Sequence, residues 1–179
     1  MWVINPRGLR PGSVHQEVFF EAIPKILSQR PEMVFICPNL AGIRSVEDRV
    51  KSLGIEGATY LLPKLPQTEL WSLLKEAAIF VSPSSHDGTP NTLLEAMACG
   101  CFPIVGDIES LREWITHGVN GFLVDPRDPT ALASAVLEAA AQPELRRAAA
   151  IQNRSIIEKR AAQSVTQPKI DAFYTQFLN

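Results

Sequence analysis

An aspartate and a glutamate with seven residues between them, Asp87 and Glu95, bracket the stretch of this sequence best equipped for chemistry. It runs Ser84-Ser85-His86-Asp87-Gly88-Thr89-Pro90-Asn91-Thr92-Leu93-Leu94-Glu95-Ala96-Met97-Ala98-Cys99-Gly100. The pattern is a strand end, a loop shaped by glycine and proline, and a helix over Thr92 to Cys99 that ends on Gly100. The first N–H groups of a helix have no partner within it and carry a partial positive charge, so the helix start at Asn91 to Leu93 is a seat for a phosphate or diphosphate. Two carboxylates beside a polyphosphate would repel it. Their use there is to accept hydrogen bonds from hydroxyl groups, which sugars supply. The competing reading is structural: Asp87 supports a turn and Glu95 is a solvated helix residue, because strand, glycine loop and helix is a common succession.

The segments that would hold this loop alternate between strand and helix patterns. Met1 to Pro6 reads as a strand running into the loop Arg7-Gly8-Leu9-Arg10-Pro11-Gly12. Val18, Phe19, Ala22, Ile23, Ile26 and Leu27 recur at spacings of three and four and predict a helix from about Val14 to Gln29, with Ser13 as N-cap and a kink or break at Pro24. Met33 to Cys37 is the unbroken apolar run of a strand covered on both faces. Further on come a helix from Ile43 to Leu53 stopped by Gly54, a strand over Ala58 to Leu62, and a helix from Glu69 to Glu76 capped by Thr68. A strand over Ala78 to Val81 precedes the Asp87 loop, and another over Phe102 to Val105 follows its helix. A short helix from Ser110 to Thr116, a tight turn at Asn120-Gly121 and a strand at Phe122 to Val124 lead to a helix opened by Asp128-Pro129 and reaching about Ala141. Beyond Pro143 the pattern is helical to the end, interrupted near Pro168.

Six short strands separated by helices predict an α/β fold: a doubly wound, Rossmann-like parallel sheet of about six strands with helices on both faces. Ligands of such sheets sit beyond the carboxyl ends of the strands, which points to the loops at 5–12, 37–42, 62–66, 82–91 and 106–109. With 179 residues, the expectation is one domain over 1–179, its C-terminal helical segment beginning near 144. A net charge of -2 and a pI near 5.9 provide no general pull toward nucleic acid or anionic membranes, so any phosphate binding has to be local. Three cysteines, Cys37, Cys99 and Cys101, argue against a disulfide framework and a four-ligand zinc site; they read as small buried residues in a reducing compartment. No apolar run reaches the ~18 residues of a membrane span and the start lacks a signal-peptide layout. The expected place is the cytoplasm, with a peripheral membrane position open to a full-length protein. Phosphate-loop, dinucleotide-fingerprint and nucleophile-elbow motifs are all missing. His15, His86 and His117 are scattered, so no metal site and no cofactor are expected.

The segment resembles the signature of the family 4 (group 1) GT-B-fold glycosyltransferases, in which a glutamate, seven residues and a second glutamate precede Ala-Met-Ala and a glycine. Here Asp87 takes the first place and Glu95-Ala96-Met97-Ala98-Cys99-Gly100 the second. The likeness continues through Pro103-Ile104-Val105, Leu111-Arg112-Glu113, Gly118-Val119-Asn120-Gly121-Phe122-Leu123-Val124 and Asp128-Pro129-Thr130-Ala131-Leu132-Ala133. The departure is aspartate for the first glutamate, one methylene shorter.

That resemblance implies the C-terminal, donor-binding half of a GT-B enzyme, its N-terminal acceptor domain being absent from this chain. It implies that Glu95 holds the ribose hydroxyls of a nucleoside-diphosphate sugar, UDP- or GDP-linked, and that Asp87 touches the donor sugar. The backbone from Gly88 through Thr89, Pro90, Asn91 and Thr92 to Leu93 would contact sugar and diphosphate, with His86 beside them. Arg7, in the loop with Gly8, matches the family's diphosphate arginine, and a guanidinium fork suits that anion. Where the family has a lysine this loop offers only Arg10, closer in than the pattern requires; a surface role is the alternative for both arginines. Leu62-Pro63-Lys64-Leu65-Pro66 resembles the segment that cradles the base through backbone groups and apolar contact, with Lys64 and Leu65 as the binding candidates. Glu113 resembles a family glutamate at the sheet's carboxyl edge, or is a helix-face carboxylate. The Asp-x-Asp pair of the other large glycosyltransferase fold is absent, so transfer would be metal-independent and, as in the family, retaining, in glycan biosynthesis. The chain alone would bind donor weakly and transfer nothing, and its last helix, around Phe173, Tyr174, Phe177 and Leu178, would be exposed. A sugar-nucleotide epimerase of the same fold and a non-catalytic nucleotide-sugar-binding module stay open; no nucleic-acid partner is expected.

Overall fold

Alternation of side chains along short apolar strands fills two cores at once. The structure is a computed structural model and describes residues 1–6, 8, 16–88 and 91–175. Its strands are β1 (Trp2–Ile4), β2 (Val34–Cys37), β3 (Thr59–Leu61), β4 (Ile79–Ser82), β5 (Phe102–Gly106) and β6 (Phe122–Val124). Its helices are α1 (Gln16–Leu27), α2 (Arg44–Ser52), α3 (Gln67–Glu76), α4 (Asn91–Cys99), α5 (Glu109–Arg112), α6 (Pro129–Ala141), α7 (Pro143–Arg160) and α8 (Gln163–Thr175). The strands pair in the order β3-β2-β1-β4-β5-β6, every pair parallel. Val3 lies opposite Phe35 and Ile79, and Ile4 opposite Ile36 and Phe80.

Val3, Phe35, Cys37, Ile79, Val81, Phe102 and Ile104 point to one face, where α1, α2 and α6 close over them. Ile4, Ile36, Phe80 and Val105 point to the other, against Leu74 of α3, Leu93, Ala96 and Met97 of α4 and Leu111 of α5. This is the period of two that a strand buried on both faces requires. Five phenylalanines, 19, 20, 35, 80 and 102, are almost wholly buried, and each is worth roughly 1.5–3 kcal/mol relative to exposure. The order reverses between β1 and β4, so the loops leaving these two central strands diverge to opposite faces and leave a crevice at the carboxyl edge.

The doubly wound sheet agrees with the sequence pattern, and several local expectations do not. α1 runs through Pro24 without a break, as Ser28 N–H still reaches the Pro24 carbonyl at 3.0 Å. Burial of Phe19, Phe20, Ile23 and Ile26 outweighs the one hydrogen bond that proline removes. α3 begins at Gln67, not at a Thr68 cap: Pro66 holds the cap position and its carbonyl accepts from the N–H groups of Glu69 and Leu70, both at 3.1 Å. The predicted helix 110–116 is the short α5 followed by turns. The predicted Asn120-Gly121 turn lies at Gly118 to Asn120, with Gly118 at φ +77° and its N–H on the Gly121 carbonyl at 2.9 Å. Buried Asn120 is used instead as a clasp, exchanging hydrogen bonds with buried Asn153 of α7. The C-terminal break falls at Ala161-Ala162, where both N–H groups fold back on the Ile157 carbonyl at 2.9 Å, and Pro168 sits inside α8. Gly54 and Gly100 end their helices at φ +65° and +93° as expected, and Asp128 caps α6 through the N–H groups of Thr130 and Ala131. Ser13 and its predicted cap lie outside the described residues.

Candidate functional site

The carboxyl edge of the sheet is stitched together by backbone and amide contacts. Asn5, at the end of β1, donates from Nδ2 to Oε1 of buried Gln16 at 2.9 Å, fixing where the chain leaves the sheet and where α1 begins. Asn39, after β2 and at φ +68°, donates to the Pro6 carbonyl at 3.2 Å. Its N–H reaches the Pro63 carbonyl at 3.3 Å, and those of Leu40 and Ala41 reach Leu62, both at 3.0 Å. The loops after β1, β2 and β3 are therefore one connected rim. Gly8 is half-buried in it, 3.7 Å from Asn39 measured from where a Cβ would stand.

The loop after β4 is held from below. Ser84 is fully buried, with its Oγ 3.2 Å from that of Ser82. Gly106, ending β5, lies so close that a Cβ there would stand 2.0 Å from the Ser84 carbonyl oxygen, and only glycine admits that approach. Ser110 of α5 donates from Oγ to the Asp87 carbonyl at 2.7 Å. Ser85, His86 and Asp87 face Ile108, Glu109 and Ser110 across a polar cavity of about 240 Å3. Leu93, Ala96 and Met97 anchor α4 in the core, and its first turn carries no acidic side chain to offset the positive end of its dipole.

Glu95 stands one turn inside α4. Its Oε1 accepts from Nε2 of Gln67, the first residue of α3, at 2.7 Å. The carboxylate is thus turned toward the start of the neighbouring helix at the same edge of the sheet, and remains half-buried. A larger cavity of about 500 Å3 runs down the groove from Glu95 past Trp71 and Lys75 to Ala98, Cys99 and Arg154. At its lower end Arg154 reaches the Ala98 and Cys99 carbonyls at 3.3 and 3.4 Å, covering the negative end of α4.

Of the residues singled out from sequence, His86, Asp87, Gly88, Asn91 and Thr92 gather on the loop and first turn of α4, and Glu95 lies one turn below. Leu93 has its side chain wholly in the core, which leaves only its backbone for a ligand. Lys64 is exposed and Leu65 half-buried on the loop from β3 to α3. Arg7, Arg10, Thr89 and Pro90 lie outside the described residues. Glu113 is exposed at the end of α5, its carbonyl taken by Arg160 at 2.8 Å. Among the described residues, no group of three or more histidines, cysteines or carboxylates is placed to hold a metal ion, and no helix is long and apolar enough to cross a membrane. Sequence reading missed Gln67, Gly106 and Ser110. A glycine closing a strand is a visible sign of close backbone approach, whereas nothing in the sequence pairs Gln67 with Glu95.

The sequence model of the family described as glycosyl transferases group 1 matches residues 13–155. The chain belongs to this family. Among curated relatives, the D-inositol 3-phosphate glycosyltransferase of Thermobispora bispora is 29% identical over 173 residues, which cover 90% of this chain and 40% of that protein. The chain thus spans less than half the length of that relative. The structure of Anabaena HepE in complex with UDP-glucose superposes with a TM-score of 0.84 at 19% identity, covering 97% of this chain and 48% of that one. The C-terminal domain of a group 1 family glycosyl transferase (LpcC) from Francisella tularensis gives a TM-score of 0.77 at 22% identity, covering 89% of this chain and 85% of that one. The fold of this group 1 chain is accordingly that of a C-terminal GT-B domain, and membership in a transferase family does not favour the epimerase alternative.

Proposed function

We propose that this chain is the donor-binding half of a glycosyltransferase and binds a nucleoside-diphosphate sugar at the carboxyl edge of its sheet. The observation that carries the reading is the placement of Glu95: a carboxylate beside an open cavity, bridged to Gln67 instead of packed away, one turn below an α4 N-terminus free of acidic side chains. The diphosphate sits on the amides at the start of α4, the ribose diol on Glu95, and the sugar in the polar cavity by Asp87 and His86. Arg7 contributes its guanidinium to the diphosphate. Leaving-group charge that develops on the diphosphate is stabilised by these preorganised donors without a metal ion, and the family's retaining course follows for the complete enzyme. The structure of HepE with UDP-glucose supports a nucleotide sugar as ligand, since that protein shares the fold. Transfer requires the acceptor domain of the full-length protein.

The test is a melting series with UDP, GDP and ADP and their sugars. A ligand that binds only the folded chain stabilises it by about 2.7 kcal/mol at a hundred times its Kd. At least one of these nucleotides is expected to raise Tm, and Glu95→Ala to remove the rise while leaving the unliganded Tm nearly unchanged. Absence of any response at millimolar nucleotide would refute the assignment.

A further inference from the structure

We propose that Gln67 is a positioning residue that holds the Glu95 carboxylate in register with a ribose diol and so sets the preference for ribose over 2′-deoxyribose. The inference rests on the nucleotide-binding reading above. Gln67 and Glu95 are 28 residues apart and belong to different helices, yet their side chains meet at 2.7 Å. Among the described residues this is the hydrogen bond that fixes the Glu95 carboxylate. A glutamate on a half-exposed helix face samples several rotamers, and ordering it on binding costs entropy. The amide of Gln67 removes that freedom before the ligand arrives, which is preorganisation.

The type of partner matters as much as its position. An arginine or lysine would neutralise the carboxylate and occupy several of its lone pairs. A neutral amide takes one lone pair on Oε1 and leaves Oε2, with its two, to accept from hydroxyls. Adjacent 2′ and 3′ hydroxyls are a pair of donors spaced for one carboxylate, and a deoxyribose leaves one acceptor site unfilled. Gln67, Trp71 and Lys75 follow one another at intervals of four along α3, so they share a face, and Trp71 and Lys75 line the cavity that Glu95 opens into. Gln67 is the member of that row that touches Glu95 and is exposed, with no core packing to explain its presence.

The experiment is calorimetric titration of the full chain, and of Gln67→Ala, Gln67→Asn and Glu95→Ala, with UDP, GDP and ADP and the 2′-deoxy form of each. For the nucleotide that binds most tightly, Gln67→Ala should weaken the ribonucleotide about five-fold and the deoxynucleotide much less, shrinking the ratio between them. Gln67→Asn, one methylene too short to reach, should behave like the alanine variant, and Glu95→Ala should abolish the ratio. An equal loss for both sugars would mean a merely structural role and overturn the inference. So would an unchanged ratio in Gln67→Ala beside a collapsed one in Glu95→Ala, an outcome that leaves the nucleotide reading standing. If the unsubstituted chain binds none of the six nucleotides, the nucleotide reading fails and the inference with it. Melting of each variant without nucleotide confirms that the fold is intact.

Discussion

At the scale of single residues, the buried thiols illustrate how the core sets chemistry. Burial pushes the Cys37 thiol up to about 12 and, with a smaller contribution from neighbouring Cys99, does the same for Cys101. Half-buried Cys99, raised chiefly by burial as well, keeps partial access to solvent from the groove beside Trp71. A folded-state value above the unfolded one means that the fold retains the proton. The stabilisation is complete below the ordinary value of 9.0 and is lost as pH rises from there toward about 12. Each thiol should cost about 1.4 kcal/mol of stability per pH unit across that window. Urea unfolding of the chain and of Cys37→Ala, compared at successive pH values above 9.0, should show a shallower decline in the variant. Parallel slopes would remove Cys37 as the cause. Native alkylation followed by mass measurement should modify Cys99 first.

At the scale of elements, the loop that carries Asp87 depends on a strand and a short helix that follow it in the chain. Gly106→Ala would place a methyl 2.0 Å from the Ser84 carbonyl, a contact that backbone cannot relieve by turning a side chain. The loop has to move away from β5 and lose the Ser110 bond to the Asp87 carbonyl, at a cost of about 1–3 kcal/mol typical of overpacking. Melting should report that loss. Titration should report a second effect: affinity for a nucleotide sugar falls more than affinity for the bare nucleotide, because Glu95 and Gln67 are not on the displaced loop. Equal losses would mean that the loop does not touch the sugar. The same elements show what a sequence can disclose. The unbroken apolar run at Met33 to Cys37, the Asp128-Pro129 helix start and the glycine stops at 54 and 100 are local patterns, and they were legible. No break falls at Pro24, because its cost is local while the packing that absorbs it is not. Gln67 on Glu95 and Ser110 on Asp87 join residues of different elements, 28 and 23 positions apart along the chain, and no spacing rule reaches that far. The candidate loop was therefore visible, and its supports were not.

At the scale of the whole molecule, the C-terminal helices divide into one that is built in and one that is not. α7 is tied to the body by the Asn120–Asn153 clasp, by Arg154 at the end of α4 and by Arg160, which lies 4.4 Å over the Trp114 ring. α8 has no buried residue among those described, and Ile170, Phe173 and Tyr174 are 46%, 55% and 62% exposed. Positions i, i+3 and i+4 share one helical face, so the three make an exposed apolar patch on α8. For the isolated chain the consequence is measurable now. Phe173→Ser with Tyr174→Ser should lower the binding of an apolar fluorescent dye to the native protein and leave stability within about 0.5 kcal/mol, as for surface substitutions that break no packing. A marked fall in Tm would show instead that the aromatic pair, its rings 5.7 Å apart, closes onto the body of the domain in solution.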